Sequence, residues 1–113
     1  MTVFAVDTYG IKPEKQAEYA TWSKKFSAYR QKHPQLFKEV KSYKVFAHVA
    51  GGNWGGYVEM MEFENLTVFQ TWMNRILKSE YLAALYPEFT TLVTPATESV
   101  SIWSPIEQAN SRK

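Results

Sequence analysis

The sequence contains no cysteine and only two histidines among its 113 residues. The absence of cysteine excludes disulfides, thiolate nucleophiles and thiolate metal sites, although it does not fix the cellular compartment. The two histidines, His33 and His48, lie far apart in the chain and have no cysteine beside them. This makes a metal centre a weak interpretation, so no metal ligand is predicted.

The chain also has little net charge and no long hydrophobic run. The formal charge is +2, and two of the positive charges are Arg112 and Lys113 in the tail. The remaining body is almost neutral, so neither nucleic acid nor a membrane surface is an expected partner. No apolar run approaches the roughly 20 residues that span a bilayer. The N-terminal residues lack the features of a signal peptide, so we expect a cytoplasmic location by default.

Aromatic residues are abundant. They make up 16% of the sequence, with 4 Trp, 7 Tyr and 7 Phe, within a hydrophobic total of 45%. Such rings belong in a core, a cleft or an interface. The length suits one domain, which we predict over residues 1–105, followed by a polar tail over 106–113.

The first half of the chain reads as a strand, a helix and a second strand. Val3–Tyr9 is β-branched and aromatic, which favours a strand. A helix is predicted from Pro13 to about Lys32, where His33-Pro34 ends it. Leu36–Val49 reads as one long strand. The helix has a charged side that we expect to face solvent and that includes Arg30, and an aromatic stripe at spacings of three and four. The stripe consists of Tyr19, Trp22, Phe26 and Tyr29.

The second half repeats this pattern. Residues 51–56 are glycine-rich and join two strands, which predicts a hairpin loop and not a phosphate-binding loop between a strand and a helix. Within the loop, Trp54 either covers a cleft or contacts another subunit. Tyr57–Phe63 is the third strand, and Asn65 can cap the second helix. The buried stripe of that helix is predicted to be Leu66, Phe69, Trp72, Met73, Ile76 and Leu77.

The last part of the chain returns to the sheet. Ser79 can cap a short turn through Leu85 that Pro87 interrupts, and Thr97–Trp103 is the final strand. The order βαββαβ with right-handed crossovers predicts an α+β, ferredoxin-like, four-stranded antiparallel sheet of order 4-1-3-2 with both helices on one face. Both faces of this sheet are apolar. The uncovered face therefore requires a partner, most simply a second copy of the chain.

Two carboxylates are the strongest candidates for chemistry. Asp7 and Glu59 lie in the middle of the two strands predicted to be central neighbours. A buried carboxylate is costly unless it is paired, and desolvation raises its pKa into a range useful for acid–base catalysis. Alternatively, each pairs with a lysine or a tyrosine, or reaches water inside the barrel that two facing sheets would form. His48, at the end of a strand, is a third acid–base candidate or else a residue of the rim.

The aromatic stripes of the helices are most simply core. Tyrosine and tryptophan nevertheless suit a cleft for a flat, partly polar molecule, because each offers an apolar face and one hydrogen bond. The predicted substrate-binding residues are Tyr9, Trp22, Tyr43, Tyr57 and Trp72.

Three segments resemble the dimeric α+β barrel superfamily, which includes antibiotic-biosynthesis monooxygenases, NIPSNAP-like and EthD-like proteins and small polyketide cyclases. Ile11-Lys12-Pro13-Glu14-Lys15 is similar to its Lys-Pro-Gly-Lys helix entry, with Glu14 in place of glycine. Residues 56–66 are similar to its strand that runs into the second helix, and residues 81–89 to its short helix before the last strand. The resemblance covers about residues 3–103. It implies that two subunits close a barrel and that each keeps a ligand cleft between sheet and helices.

The resemblance also implies a function. Asp7 stands where haem-degrading relatives carry a polar residue, but Tyr86 and Pro87 stand where those relatives carry the histidine that binds haem iron, so no cofactor is predicted. We expect a homodimer that binds a small hydrophobic, aromatic or polyketide-like molecule, as a cofactor-independent monooxygenase or cyclase. The alternative is a non-catalytic ligand-binding or assembly module of the NIPSNAP-like type. The sequence leaves open which of the two it is.

Overall fold

A four-stranded antiparallel sheet forms the base of the molecule in the computed structural model, which describes residues 1–51 and 56–106. The strands follow the order β2-β3-β1-β4, so the predicted order 4-1-3-2 is confirmed. Trp54 and the predicted tail beyond Ile106 lie outside the described residues. The strands are β1 (Val3–Tyr9), β2 (Ser42–Ala47), β3 (Tyr57–Phe63) and β4 (Ser99–Trp103).

Helices connect the strands and cover one face of the sheet. A single 3-10 turn, Pro13–Lys15, leads into the first helix, and Asn65 caps the second through its side chain, which accepts a 2.9 Å hydrogen bond from the Val68 N–H. Pro87 does not interrupt a helix but stands in the first turn of one, where a missing N–H costs nothing. The helices are α1 (Gln16–Lys32), α2 (Leu66–Leu77), α3 (Tyr81–Ala84) and α4 (Tyr86–Leu92). Within the described ranges, no helix has both the length and the apolar character needed to cross a membrane.

The predicted strand Leu36–Val49 is wrong in its first part. The structure has turns over residues 34–39, and β2 begins only at Ser42. The backbone closes on itself there, because the Leu36 N–H donates to the His33 carbonyl at 3.0 Å. The turns bury the ring of Phe37 within 6.0 Å of the Phe26 ring. A straight strand would have carried this side chain past the core.

The two faces of the sheet differ. On the helix side, Tyr9 and Phe63 are almost wholly buried, with 2% and 0% of their surface exposed. Successive side chains alternate between the faces, so their neighbours point to the other side. There Phe46 is 50% exposed and Trp103 61%. We call this surface the open sheet face, and its apolar residues are Phe4, Val6, Phe46, Val58, Met60 and Trp103.

Candidate functional site

A cavity of about 310 Å³ lies between the sheet and helices α2 and α3. Its volume is at the lower end of the range for small-molecule sites. Three carboxyl groups, those of Asp7, Glu59 and Glu98, line it together with apolar walls. We call it the carboxyl cavity. Its apolar walls include Ala5, Phe26, Met61, Phe69, Met73 and Ile76.

The sheet brings Asp7 and Glu59 together. They are directly opposite each other in the β1–β3 pairing, as expected for two central strands. Residues that face each other across antiparallel strands share one side of the sheet, and here it is the helix side. Glu98 comes just before β4, which pairs with the other edge of β1. Asp7 therefore lies between two other carboxyl groups.

The pKa of Asp7 is strongly raised. Burial raises the pKa of Asp7 to about 9, and a hydrogen bond to Glu98 and the negative charges of Glu98 and Glu59 act in the same direction. One of its oxygens, Oδ1, is buried and has no hydrogen-bond partner. Asp7 is thus protonated at neutral pH and can donate a hydrogen bond.

Glu59 has support that Asp7 lacks. Burial raises the pKa of Glu59, while the Tyr43 hydroxyl, which donates to Oε2 at 2.8 Å, and the charge of Arg30 lower it. The Arg30 guanidinium carbon is 4.1 Å from the centre of the Tyr43 ring. Arg30 was expected on the solvated side of α1, and this expectation is wrong. A planar guanidinium packs well on aromatic rings, and here it lies over the Tyr43 ring.

Two carboxyl groups of the same chemistry therefore have different surroundings. Glu59 receives a hydrogen bond and a nearby cation, both of which favour the ionised form. Asp7 instead has a hydrogen bond to Glu98 that favours its protonated form, and it faces two neighbouring carboxyls. Tyr43 and Arg30 oppose the effect of burial on the pKa of Glu59, whereas the neighbours of Asp7 add to it.

A second buried polar group without a partner belongs to a residue of the cavity wall. The Trp72 side chain lines the cavity and is only 6% exposed, and its indole N–H donates to nothing among the described residues. The indole of Trp22, by contrast, donates to the Leu85 carbonyl at 2.9 Å. Buried indole N–H groups usually find an acceptor, so Trp72 is unusual.

The five aromatic residues predicted to bind substrate separate into two groups. Trp72 lines the carboxyl cavity, and Tyr43 reaches it through its hydrogen bond to Glu59. Tyr9, Trp22 and Tyr57 instead belong to a solid aromatic layer beside the cavity. In this layer, Tyr9 packs 4.9 Å from Phe89 and 5.8 Å from Tyr57 between ring centres. The substrate role of all five residues stays a prediction.

His48, the third acid–base candidate, lies elsewhere. It follows the end of β2 on the surface, and its Nε2 contacts the Gly51 carbonyl oxygen. It does not line the carboxyl cavity. Its catalytic role also stays a prediction. Over residues 1–51 and 56–106, no three His, Asp or Glu side chains are grouped as metal ligands.

Sequence reasoning missed Glu98. A signal for it was available, because the predicted topology places the last strand beside the first. Continuing the alternation of β4 by one residue puts Glu98 on the same face as Val100, which lines the cavity with it. The role of Arg30 had no such signal, since its position on the helix gives no distance to Tyr43.

Several solved structures are similar to this one over nearly the whole chain. A NIPSNAP family protein from Agrobacterium tumefaciens matches 99% of this chain and 100% of its own, with 16% identity and a TM-score of 0.73. An antibiotic biosynthesis monooxygenase matches 93% and 99%, with 15% identity and a TM-score of 0.65. A dimeric ferredoxin-like protein of unknown function from Bacteroides fragilis matches 90% and 94%, with 11% identity and a TM-score of 0.62.

The chain has the ferredoxin-like fold of these proteins. The resemblance inferred from the sequence is therefore confirmed at the level of the fold. No protein-family model and no curated protein matches the sequence. At identities of 11% to 16%, the similarity carries the fold and not the activity.

Proposed function

We propose that this protein binds a small aromatic or polyketide-like molecule in the carboxyl cavity and transfers a proton to or from it without a cofactor. The observation that carries this proposal is the pair Asp7 and Glu59, opposite each other in an apolar cavity and in unlike surroundings. A buried acid and a buried base a short distance apart are what proton transfer at a carbon next to a carbonyl requires.

The roles follow from the surroundings. The Glu59 carboxylate accepts the proton from the carbon beside the carbonyl, and burial makes it a stronger base than a carboxylate in water. Asp7, which is protonated, donates a hydrogen bond to the carbonyl oxygen, where the negative charge develops. Tyr43 and Arg30 hold Glu59 in place. The first step of a cofactor-independent monooxygenase or of a cyclase is a proton transfer of this kind.

Two further observations support a small molecule as the partner. The cavity has apolar walls and few polar groups, which is the usual composition of a ligand site. A protein of the same fold is an antibiotic biosynthesis monooxygenase. The second candidate function is a non-catalytic ligand-binding or assembly module, which the similarity to a NIPSNAP family protein favours.

The experiment uses hydrogen–deuterium exchange at the activated carbon of β-tetralone, a bicyclic aromatic ketone, followed by proton NMR in heavy water. We expect the wild-type protein to accelerate exchange, and Asp7→Asn and Glu59→Gln each to lower the protein-dependent rate by about a hundredfold or more. Glu88→Gln, which changes an exposed carboxyl paired with Lys25, is the matched control and should leave the rate unchanged.

The outcomes separate the two functions. Binding of the ketone without accelerated exchange, in wild type and variants alike, would favour the non-catalytic ligand-binding module. Exchange that is accelerated equally in the wild type, Asp7→Asn and Glu59→Gln would remove both carboxyls from the mechanism. The absence of binding to the ketone would point to the assembly module.

We also propose that the open sheet face pairs with the same face of a second chain. Large apolar side chains on one uncovered surface are typical of an interface. A ferredoxin-like protein of the same fold is dimeric. The carboxyl cavity lies on the helix side of the sheet, so each subunit would keep its own site.

A further inference from the structure

The indole N–H of Trp72 is a buried hydrogen-bond donor without an acceptor. It can only donate, so no rearrangement of its own proton can satisfy it. The remaining walls near it are apolar, including Phe69 and Met73. A buried donor left unmet is unfavourable, and a ligand that brings an acceptor to it removes this cost.

Trp72 stands at a distance from the two central carboxyls. Its ring is 5.3 Å from that of Phe63, centre to centre, and Phe63 pairs with Val3. The Asp7–Glu59 pair lies four residues further along the same two strands. At a strand rise of about 3.3 Å per residue, the backbone positions of the two pairs are about 13 Å apart.

Between these two ends the floor of the cavity is apolar. Ala5 and Met61 form the intervening pair of β1 and β3, and both line the cavity. Asp7 Oδ1 at one end and the Trp72 N–H at the other are both buried and without a partner. The polar atoms in need of partners are thus separated by a hydrophobic stretch.

We propose that the carboxyl cavity takes an elongated, mainly apolar molecule with an oxygen acceptor at each end, one facing Asp7 and the other accepting a hydrogen bond from the Trp72 indole. Aromatic diketones and aromatic ketones with a second carbonyl at the far edge have this pattern. This inference rests on the proposed function and specifies its substrate class. It makes Trp72 a residue that selects the ligand and leaves proton transfer to the carboxyls.

The test uses matched ketones that differ only at the far end. One has an acetyl group there, and the other has an isopropenyl group of the same shape without the oxygen. A pair is made on β-tetralone and a longer pair on para-acetylbiphenyl, so that two ligand lengths are covered. Isothermal titration calorimetry gives the affinity of each for the wild type, Trp72→Phe and Trp103→Phe.

In at least one pair, we expect the acetyl compound to bind the wild type about tenfold more tightly than its isopropenyl partner, the effect of one buried hydrogen bond. Trp72→Phe enlarges the cavity for both members but removes the donor, so the ratio should fall to about one. Trp103→Phe is the control, because it makes the same change on the open sheet face, where Trp103 is 61% exposed and does not line the cavity. It should keep the wild-type ratio.

A second measurement on the wild-type protein does not depend on how well the variant folds. The indole N–H resonance of Trp72, assigned through its contact with Phe63, should move downfield with the acetyl ketone and not with the isopropenyl ketone. Equal affinities within both pairs, with an unmoved resonance, would overturn the inference and leave a bound water as the partner of the indole. If none of the four ketones binds, the proposed function itself fails.

Discussion

Burial raises the pKa of two carboxyl side chains on neighbouring strands in this protein, but the groups around each one differ. The Tyr43 hydroxyl and Arg30 help Glu59 to hold a negative charge, whereas Glu98 and Glu59 make a charge on Asp7 costly. The distinction is a matter of single contacts: one 2.8 Å hydrogen bond and one guanidinium over a ring. It can be tested one side chain at a time.

The protonated state of Asp7 makes stability depend on pH. The pKa of Asp7 is about 9 in the folded protein against 3.8 for an ordinary aspartate, so the folded state keeps the proton longer. Its contribution to stability is therefore fully present below about pH 4 and is lost as the pH rises through about 9. We expect Asp7→Asn to be more stable than the wild type at about pH 8, by about 1–3 kcal/mol, the usual effect of an unsatisfied buried polar group.

Urea unfolding at about pH 5 and about pH 8 provides the measurement. The free energy of unfolding should fall with pH more steeply in the wild type than in Asp7→Asn. Glu18→Gln, at an exposed carboxyl, should follow the wild type. Parallel pH dependence in the wild type and Asp7→Asn would show that Asp7 titrates normally.

Arg30 should tune Glu59 through Tyr43. Removing the cation in Arg30→Met should raise the pKa of Glu59 further, because the attraction that lowers it is lost. The carbon-13 shift of the Glu59 carboxyl, followed against pH, reports this directly. A loss of stability of about 0.5–1 kcal/mol should accompany it, as for a partly exposed cation–π contact.

Two further variants serve as controls for the effect of Arg30→Met. Arg30→Lys keeps the charge and should move the pKa of Glu59 less than Arg30→Met does. Arg75→Met removes an arginine whose partner is Glu39, away from the carboxyl cavity, and should leave the titration of Glu59 unaltered. An unchanged Glu59 titration in Arg30→Met would mean that the stacked guanidinium has no electrical influence there.

Among the elements, those with strong local signals form where the sequence predicts them. β1 and β3 match the predicted bounds, since β1 is rich in β-branched and aromatic residues and β3 follows a glycine-rich hairpin loop. α2 begins after its asparagine cap. β2 and α4 depart from prediction because tertiary contacts decide them. Phe37 is buried by the turns over residues 34–39, and Phe89 and Leu92 are buried on helix α4, which starts at Tyr86.

The candidate site also has features that the sequence predicts and features that only tertiary contacts determine. The pairing of Asp7 with Glu59 could be predicted, because strand order and alternation are enough to place them. The contacts of Arg30 and the unmet N–H of Trp72 could not, because they depend on the distance between a helix and the sheet. In the sequence, Tyr9, Trp22 and Tyr57 are large aromatic residues like Trp72. Only the packing of the folded chain shows that they belong to the solid aromatic layer and that Trp72 lines the carboxyl cavity.

The cap of α2 offers a test at the level of an element. Asn65→Ala removes the acceptor for the Val68 N–H and should lower the free energy of unfolding by about 1 kcal/mol. Asn74→Ala makes the same chemical change at an exposed position inside the same helix, where alanine is the better helix former, and should raise stability by a few tenths. Both follow from urea unfolding. Equal effects of the two variants would contradict the role of Asn65 as a cap.

For the whole molecule, the uncovered side of the sheet is the dominant feature. The helix side of the sheet is covered by aromatic residues and contains the carboxyl cavity. On the open sheet face, by contrast, Phe46 is 50% exposed and Trp103 is 61% exposed. Apolar surface is unfavourable in water, and pairing of two chains through the open sheet face would bury it. The free energy of unfolding would then depend on the association of the subunits.

Sedimentation velocity at micromolar concentration tests this. We expect the wild type to be a dimer and Val6→Lys, with a charge on the central strand of the open sheet face, to be a folded monomer by sedimentation and circular dichroism. Val49→Lys makes the same change at a residue that is 92% exposed and outside the strands, and it should remain dimeric. A wild-type protein that stays monomeric and well folded would refute pairing through this face.

The solid aromatic layer and the carboxyl cavity lie side by side on the same face of the sheet, yet Tyr9, Trp22, Tyr57 and Phe89 of the layer do not line the cavity. Under the proposed function, the filled half of the interior supplies cohesion and the hollow half selects the ligand. Substitutions in the hollow half would then change the ligand without unfolding the chain, while the filled half tolerates little. A scaffold of this size would in this way change its ligand and keep its shape.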